Sequence, residues 1–142
     1  MDYGSEQEME LEALQAILMD DLQPFNGTTP DNWATFMVGE VHKVTINPSE
    51  EGEEPEEEYP VKAELVFAHT KAYPDEAPCI RLRSVRGLSD ADLAEGTAVL
   101  QQLIQENLGM AMIYTLVSAS KEWLRGAGGS HLVGWPGMSA GC

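Results

Sequence analysis

The sequence predicts an α+β domain in which an antiparallel meander sheet of three to four strands is flanked by helices, in the order helix, strands, helix, helix. Three observations carry that expectation. Apolar residues recur at helical spacing from Leu11 to Leu18 and again from Leu93 to Ile104. Val61, Ala63, Leu65 and Phe67 alternate with the charged Lys62 and Glu64. The stretch YPDEAP at 73–78 then separates that alternating run from the next one.

The first helix is expected to begin at the Ser5-Glu6-Gln7-Glu8 sequence, which fits a capping box: the Ser hydroxyl and the Glu carboxylate satisfy free amides of the first turn. Leu11, Leu14, Ile17 and Leu18, with Leu22 as an extension, form its packing face, while Glu8, Glu12 and Gln15 fall on the other side. Pro24, Asn26, Gly27 and Pro30 break the pattern. Phe36 to Asn47 reads as a strand with a loose start, since Val44 and Ile46 alternate with Lys43 and Thr45. Residues 48–58, PSEEGEEPEEE, have nothing apolar to bury and repel themselves, so a flexible acidic hairpin loop is expected there.

Val61, Ala63, Leu65 and Phe67 alternate with Lys62 and Glu64, the mark of a half-buried strand. In YPDEAP each proline fixes its own φ and pushes the residue before it towards extended geometry. The stretch therefore reads as a rigid corner whose Tyr73 hydroxyl finds a backbone partner. Ile80 and Leu82, alternating with Arg81 and Arg83, give the next strand, ending near Gly87. Ser89 can cap a helix with Leu93, Leu100, Leu103 and Ile104 on one stripe, in which Gly96 is a weak point costing about 1 kcal/mol relative to Ala. Asn107 and Gly109 supply a stop and a sharp turn. The segment from Met110 to Trp123 is apolar nearly all round at first, then amphipathic, and is expected to be the buried helix. Residues 1–125 thus form one domain, and the Gly-rich residues 126–142 a disordered tail.

At 142 residues and a formal net charge of −16, the chain suits a single core and opposes binding to nucleic-acid phosphates or an anionic membrane surface. Residues 1–58 hold 16 acidic side chains against the single Lys43. A basic or neutral protein partner fits that balance. The acidic N-terminus is unlike a secretory signal, and the run MAMIYTLV at 110–117 is far too short to cross a membrane. Cys79 and Cys142 make no disulfide framework, so a reducing compartment, cytosol or nucleus, is the default and a cytoplasmic protein is expected.

Catalytic chemistry finds little to stand on. Cys79 and Cys142 form no CxxC pair; Cys79 opens an apolar strand, where a thiol is usually inert, and nothing in the sequence is held near Cys142 to activate it. His42, His69 and His131 lack metal-ligand spacing, and the acidic run lacks the alternating ligands of a calcium loop. GAGGS has no following Lys-Ser/Thr and cradles no phosphate. No catalytic residue, cofactor or metal is expected.

Four segments together resemble one family. ELEAL at Glu10 to Leu14, the Tyr-Pro-x-x-x-Pro corner, RGLSDADL at Arg86 to Leu93 and ENLGMAMIYTLV at Glu106 to Val117 look like the RWD domain family, over about residues 3–125. The resemblance implies a fold related to ubiquitin-conjugating enzymes, with Tyr73, Pro74 and Pro78 as structural hallmarks, and a role in protein interaction. It implies, through one subgroup, translation control: binding the large ribosome-associated activator of the amino-acid-starvation kinase in competition with that kinase's own RWD domain. Relatives in that subgroup continue into a Lys/Glu-rich helical region that binds a developmentally regulated GTP-binding protein. This chain has no lysine and no helical repeat after Arg125, so that partner is not carried over.

Two functional expectations follow. The first is a non-catalytic adaptor whose Glu8, Glu12, Asp20 and Asp21 meet a basic partner surface. The alternative is a ubiquitin-like conjugation factor, in a binding or degenerate conjugating role. The His-Pro-Asn stretch common in conjugating enzymes does not occur.

Overall fold

A computed structural model describes residues 3–47 and 61–133, with side chains described as far as Arg125. The acidic run at 48–58 and residues 134–142 lie outside the described residues. Helix α1 spans Tyr3–Leu18, a 3-10 turn Met19–Asp21, strand β1 Leu22–Pro24, the short helix α2 Trp33–Phe36, β2 Met37–Ile46, β3 Lys62–Thr70, β4 Cys79–Arg86, α3 Asp90–Asn107 and α4 Ile113–Val133. The strands form one antiparallel sheet in the order β1-β2-β3-β4. The α+β meander expected from the sequence is therefore present with four strands.

The α1 face divides where the backbone changes hand. Leu14 and Leu18 are buried, but Ile17, expected on the packing face, is 53% exposed. Met19 takes φ +48, a left-handed conformation that ends the helix and sends the chain into β1. Leu22 is consequently a buried strand residue paired with Val44 rather than a late helical one. Ser5 lies within the first turns of α1, since the helix already begins at Tyr3.

One main core fills the space between the sheet and the long helices: Leu14, Val44, Ile46, Ala63, Leu65, Phe67, Tyr73, Leu82, Leu100, Ile104, Met112, Ile113, Leu116, Val117 and Leu124. The other sheet face has a smaller cluster in which Trp33 of α2 packs with Val66 and Ala68, flanked by Phe25, Met37, Val41 and Cys79. Strand β3 is therefore buried on both faces from Leu65 to Thr70, not half-buried as its alternation suggested. The sequence gives no periodic sign of α2, because a helix of four residues is too short to show one.

The α3 start is as expected: Ser89 Oγ accepts from the Asp92 amide at 3.1 Å, and Asp92 Oδ2 accepts from the Ser89 amide at 3.0 Å. Gly96 is a close-approach point instead of a mere weak point. A Cβ there would stand 2.7 Å from the Trp123 ring and 2.8 Å from Leu82 Cδ1. The absent side chain lets α3 settle against α4 and β4 together. Helix α4 differs from expectation at both ends. Met110 precedes the helix and is exposed, and Tyr114 and Thr115 are exposed between buried Ile113 and Leu116, so the first turn is amphipathic. The helix continues through 126–133, where a disordered tail is expected from the sequence. A helix already nucleated by packing lengthens without a new nucleus, which offsets the poor propensity of the glycines.

Candidate functional site

The YPDEAP corner is the structural hub around which α1, β3 and α4 meet. The Tyr73–Pro74 peptide is cis, and Tyr73, Pro74 and Pro78 are all buried. The Tyr73 hydroxyl accepts from the Met112 amide at 2.7 Å and donates to Glu10 Oε2 at 2.9 Å. Burial, with the Glu10 carboxylate beside it, pushes the phenol far above its ordinary range. Pro74 O accepts from the Gly109 amide at 2.8 Å, which fixes the α3–α4 turn to the corner.

The acidic pair between the prolines is also occupied. Asp75 Oδ2 accepts from the Tyr3 hydroxyl at 2.7 Å, and Glu76 Oε1 accepts from the Ala72 amide at 2.9 Å. The hydrogen bond to Asp75 raises the Tyr3 phenol above its usual value. Gln7, nearly buried on α1, donates from Nε2 to Thr70 O at 2.8 Å and to Tyr73 O at 3.2 Å. Glu10 completes the clamp. Its Oε2 accepts from the Ile113 amide at 3.1 Å as well as from Tyr73, and its Oε1 lies 3.0 Å from His69 Nε2. The His69 ring stacks on Tyr73 with centroids 4.6 Å apart.

This clamp fixes which side of α1 remains outside. Glu8 and Glu12, one turn apart, are exposed there beside Met9, which is 66% exposed. Asp20 is exposed in the turn after α1, and Asp21 is half-buried. The four acids do not make one patch. Glu8 lines a shallow groove with Leu11, Glu40 and Lys71, whereas Asp21 lines another with Ile17, Tyr114, Lys121 and Arg125. Twelve residues of helix and turn separate them, roughly 18 Å at helical rise. The structure thus brings Glu8 and Glu12 together and leaves Asp20 and Asp21 near the α4 end.

Glu10 and His69 are missed by the sequence reading, which places Glu10 within ELEAL without a role and leaves His69 unassigned. Their signal is only that Glu10 falls two residues after Glu8 and so cannot share its face.

Cys79 lies at the start of β4 on the rim of an open groove of about 670 Å³, with Trp33, Phe36, Pro78, Ile104 and Gln105 among its walls. It is half-buried, and burial with Glu76 nearby pushes its thiol up, away from the thiolate that conjugation chemistry requires. Burial lowers His42, which stacks on Phe67. Among the described residues no three of His, Cys, Asp or Glu are grouped to hold a metal ion, and no helix is long and apolar enough to cross a membrane.

A family model of the RWD domain matches residues 5–124. Among curated proteins, the mouse E3 ubiquitin-protein ligase RNF25 is 33% identical over 115 residues, covering 81% of this chain and 23% of that protein. The human RNF25 is 34% identical over 118 residues, with the same shares covered. Mouse eIF-2-alpha kinase GCN2 is 31% identical over 122 residues, 86% of this chain and 7% of the kinase. The chain therefore spans a quarter or less of the length of these relatives. Among solved structures, the RWD domain of mouse GCN2 superposes with a TM-score of 0.70 at 26% identity, covering 89% of this chain and 88% of that domain.

Proposed function

The chain belongs to the RWD domain family, protein-interaction domains with a ubiquitin-conjugating-enzyme-like fold, and from that premise we propose that it is a non-catalytic adaptor in translation control. In this reading it acts in the cytoplasm and binds the ribosome-associated activator of the amino-acid-starvation kinase, competing with that kinase's own RWD domain. The observation that supports it most is the likeness to the GCN2 domain over nearly its whole length, in sequence and in fold. The exposed carboxylates of Glu8 and Glu12 supply a surface suited to a basic partner, where charge contributes steering and specificity.

A pull-down from translating-cell lysate tests this, with the full chain as bait and the GCN2 RWD domain as competitor. Recovery of the activator, displaced by the competitor, supports the reading. Recovery by the GCN2 domain alone sinks it.

A second reading rests on the RNF25 likeness, which reaches 34% identity across 81% of the chain. Under it the domain binds a component of the ubiquitin-conjugation machinery without forming a thioester itself. The raised Cys79 thiol and the lack of a His-Pro-Asn stretch favour the binding version over a conjugating one. Titration against charged and uncharged conjugating enzymes separates this reading from the first.

A further inference from the structure

The register of the sheet gathers most of the chain's few basic residues on the face turned away from the long helices. Core-facing residues Ala63, Leu65, Phe67 and Leu82 fix which face is which, so the residues between them point outward. Across β2, β3 and β4 the outward rows read Lys43, Val66, Arg81, then Thr45, Glu64, Arg83, and finally Lys62 opposite Arg86. Val66 is buried beneath Trp33, so the open part of the face is Lys43 and Arg81 to either side of it and the rows beyond. Five of the eight Lys and Arg side chains of the protein thus share these rows with the single acid Glu64.

That acid is already engaged. Glu64 Oε2 lies 3.2 Å from Lys43 Nζ, and its Oε1 accepts from Arg83 Nη1 at 3.2 Å. The Arg83 guanidinium also stands 5.1 Å over the Phe25 ring. Glu64 therefore holds Lys43 and Arg83 in place, and Lys62 and Arg81 add further positive charge to these described rows, in a chain of net charge −16. The rows span roughly 10 Å by 14 Å, comparable to a physiological Debye length of about 8 Å, so the local excess is felt only at close range.

We infer that this basic sheet face is a docking surface for an acidic polypeptide segment in extended conformation. Charge complementarity selects an acidic occupant. The overall negative charge selects against a long polyanion such as nucleic acid, which would be repelled by the rest of the chain before reaching the face. Geometry selects an extended one: β4 is the outer strand of the sheet, with Arg81, Arg83 and Arg86 exposed along it. A segment laid beside β4 turns alternate side chains onto the basic face, so carboxylates at every second position meet the rows in register. This surface lies across the sheet from α1 and stands independently of the adaptor reading.

The test is fluorescence anisotropy with a short labelled peptide alternating Glu and Thr, titrated with the full chain at about 0.05 M and about 0.3 M salt. Lys62→Glu with Arg81→Glu is compared with Lys71→Glu with Lys121→Glu, which changes the net charge equally away from this face. Saturable binding is expected, weakened at least about tenfold by the first pair, by less than about threefold by the second, and by added salt. Circular dichroism confirms that both variants fold. Equal loss from both pairs, no saturable binding, or equally tight binding of an oligothymidylate of matched charge would overturn the inference. So would binding that emerges only after residues 50–58 are replaced by Gly and Ser, since the chain's own glutamates would then be the occupant.

Discussion

Glu10 and Tyr73, sixty-three positions apart, are joined by a 2.9 Å hydrogen bond between the Tyr hydroxyl and Oε2. The carboxylate is 8% exposed and also receives the Ile113 amide, with His69 at its other oxygen. One side chain of α1 thereby holds the corner, β3 and the start of α4. Replacing it with alanine leaves buried donors unmatched, so Glu10→Ala should cost about 2–4 kcal/mol of unfolding free energy. Glu10→Gln keeps one acceptor but turns an amide towards a donor, and should cost less. Urea denaturation of both variants checks the order.

Alkaline pH should expose Tyr73. Its phenol is raised above the ordinary value of 10.0, first by burial and then by Glu10. The unfolded chain releases this proton near pH 10 while the folded chain keeps it, so the unfolded state binds fewer protons above that point and stability falls as pH rises. Below pH 10 the contribution is fully present. Unfolding free energies from about pH 9 to about pH 12 should fall more steeply for the natural chain than for Tyr73→Phe, and equal slopes would contradict the buried phenol.

Gly96→Ala reverses the usual helix rule. Propensity alone would stabilise α3 by about 1 kcal/mol, but the new methyl would meet Trp123 and Leu82 inside 3.0 Å. Overpacking of that kind costs about 1–3 kcal/mol, so a lower melting temperature is expected. A rise in melting temperature would show that α3 and α4 can separate freely.

Reversing charge at Glu8 and Glu12 together should leave the melting temperature nearly unchanged, because both are exposed. Capture of the activator should weaken about tenfold. Reversal at Asp20 and Asp21 tests a separate place, and its effect is expected to be smaller. Undiminished capture by the Glu8 and Glu12 variant would remove this surface from the adaptor reading.

With ubiquitin, activating enzyme and ATP, neither the natural chain nor Cys79→Ser should show a reducible adduct on a non-reducing gel. Burial, with Glu76 nearby, pushes the Cys79 thiol up and so disfavours the thiolate that would accept ubiquitin. An adduct lost in Cys79→Ser would identify a conjugating enzyme.

Local chemistry made much of the fold legible in the sequence. The Ser89 cap, the β3 alternation, the Asn107 and Gly109 stop and the Tyr-Pro-x-x-x-Pro corner each act through neighbouring residues, so their spacing alone announces them. Exposed Glu8 and Glu12 were legible for the same reason, as residues opposite a helical stripe.

Contacts between distant segments were decided only in three dimensions. Glu10 looks like one more surface acid until α1 is laid against β3, and Gly96 looks like a weak helical residue until Trp123 and Leu82 close over it. Asp20 and Asp21 lie beyond the end of α1, past the left-handed turn at Met19, whereas Glu8 and Glu12 share one face within the helix. The basic face exists only because strand pairing sets Lys43, Arg81, Arg83, Lys62 and Arg86 side by side across separate strands. Periodicity reports the face a residue occupies within its own element, and register and packing choose its neighbours across elements.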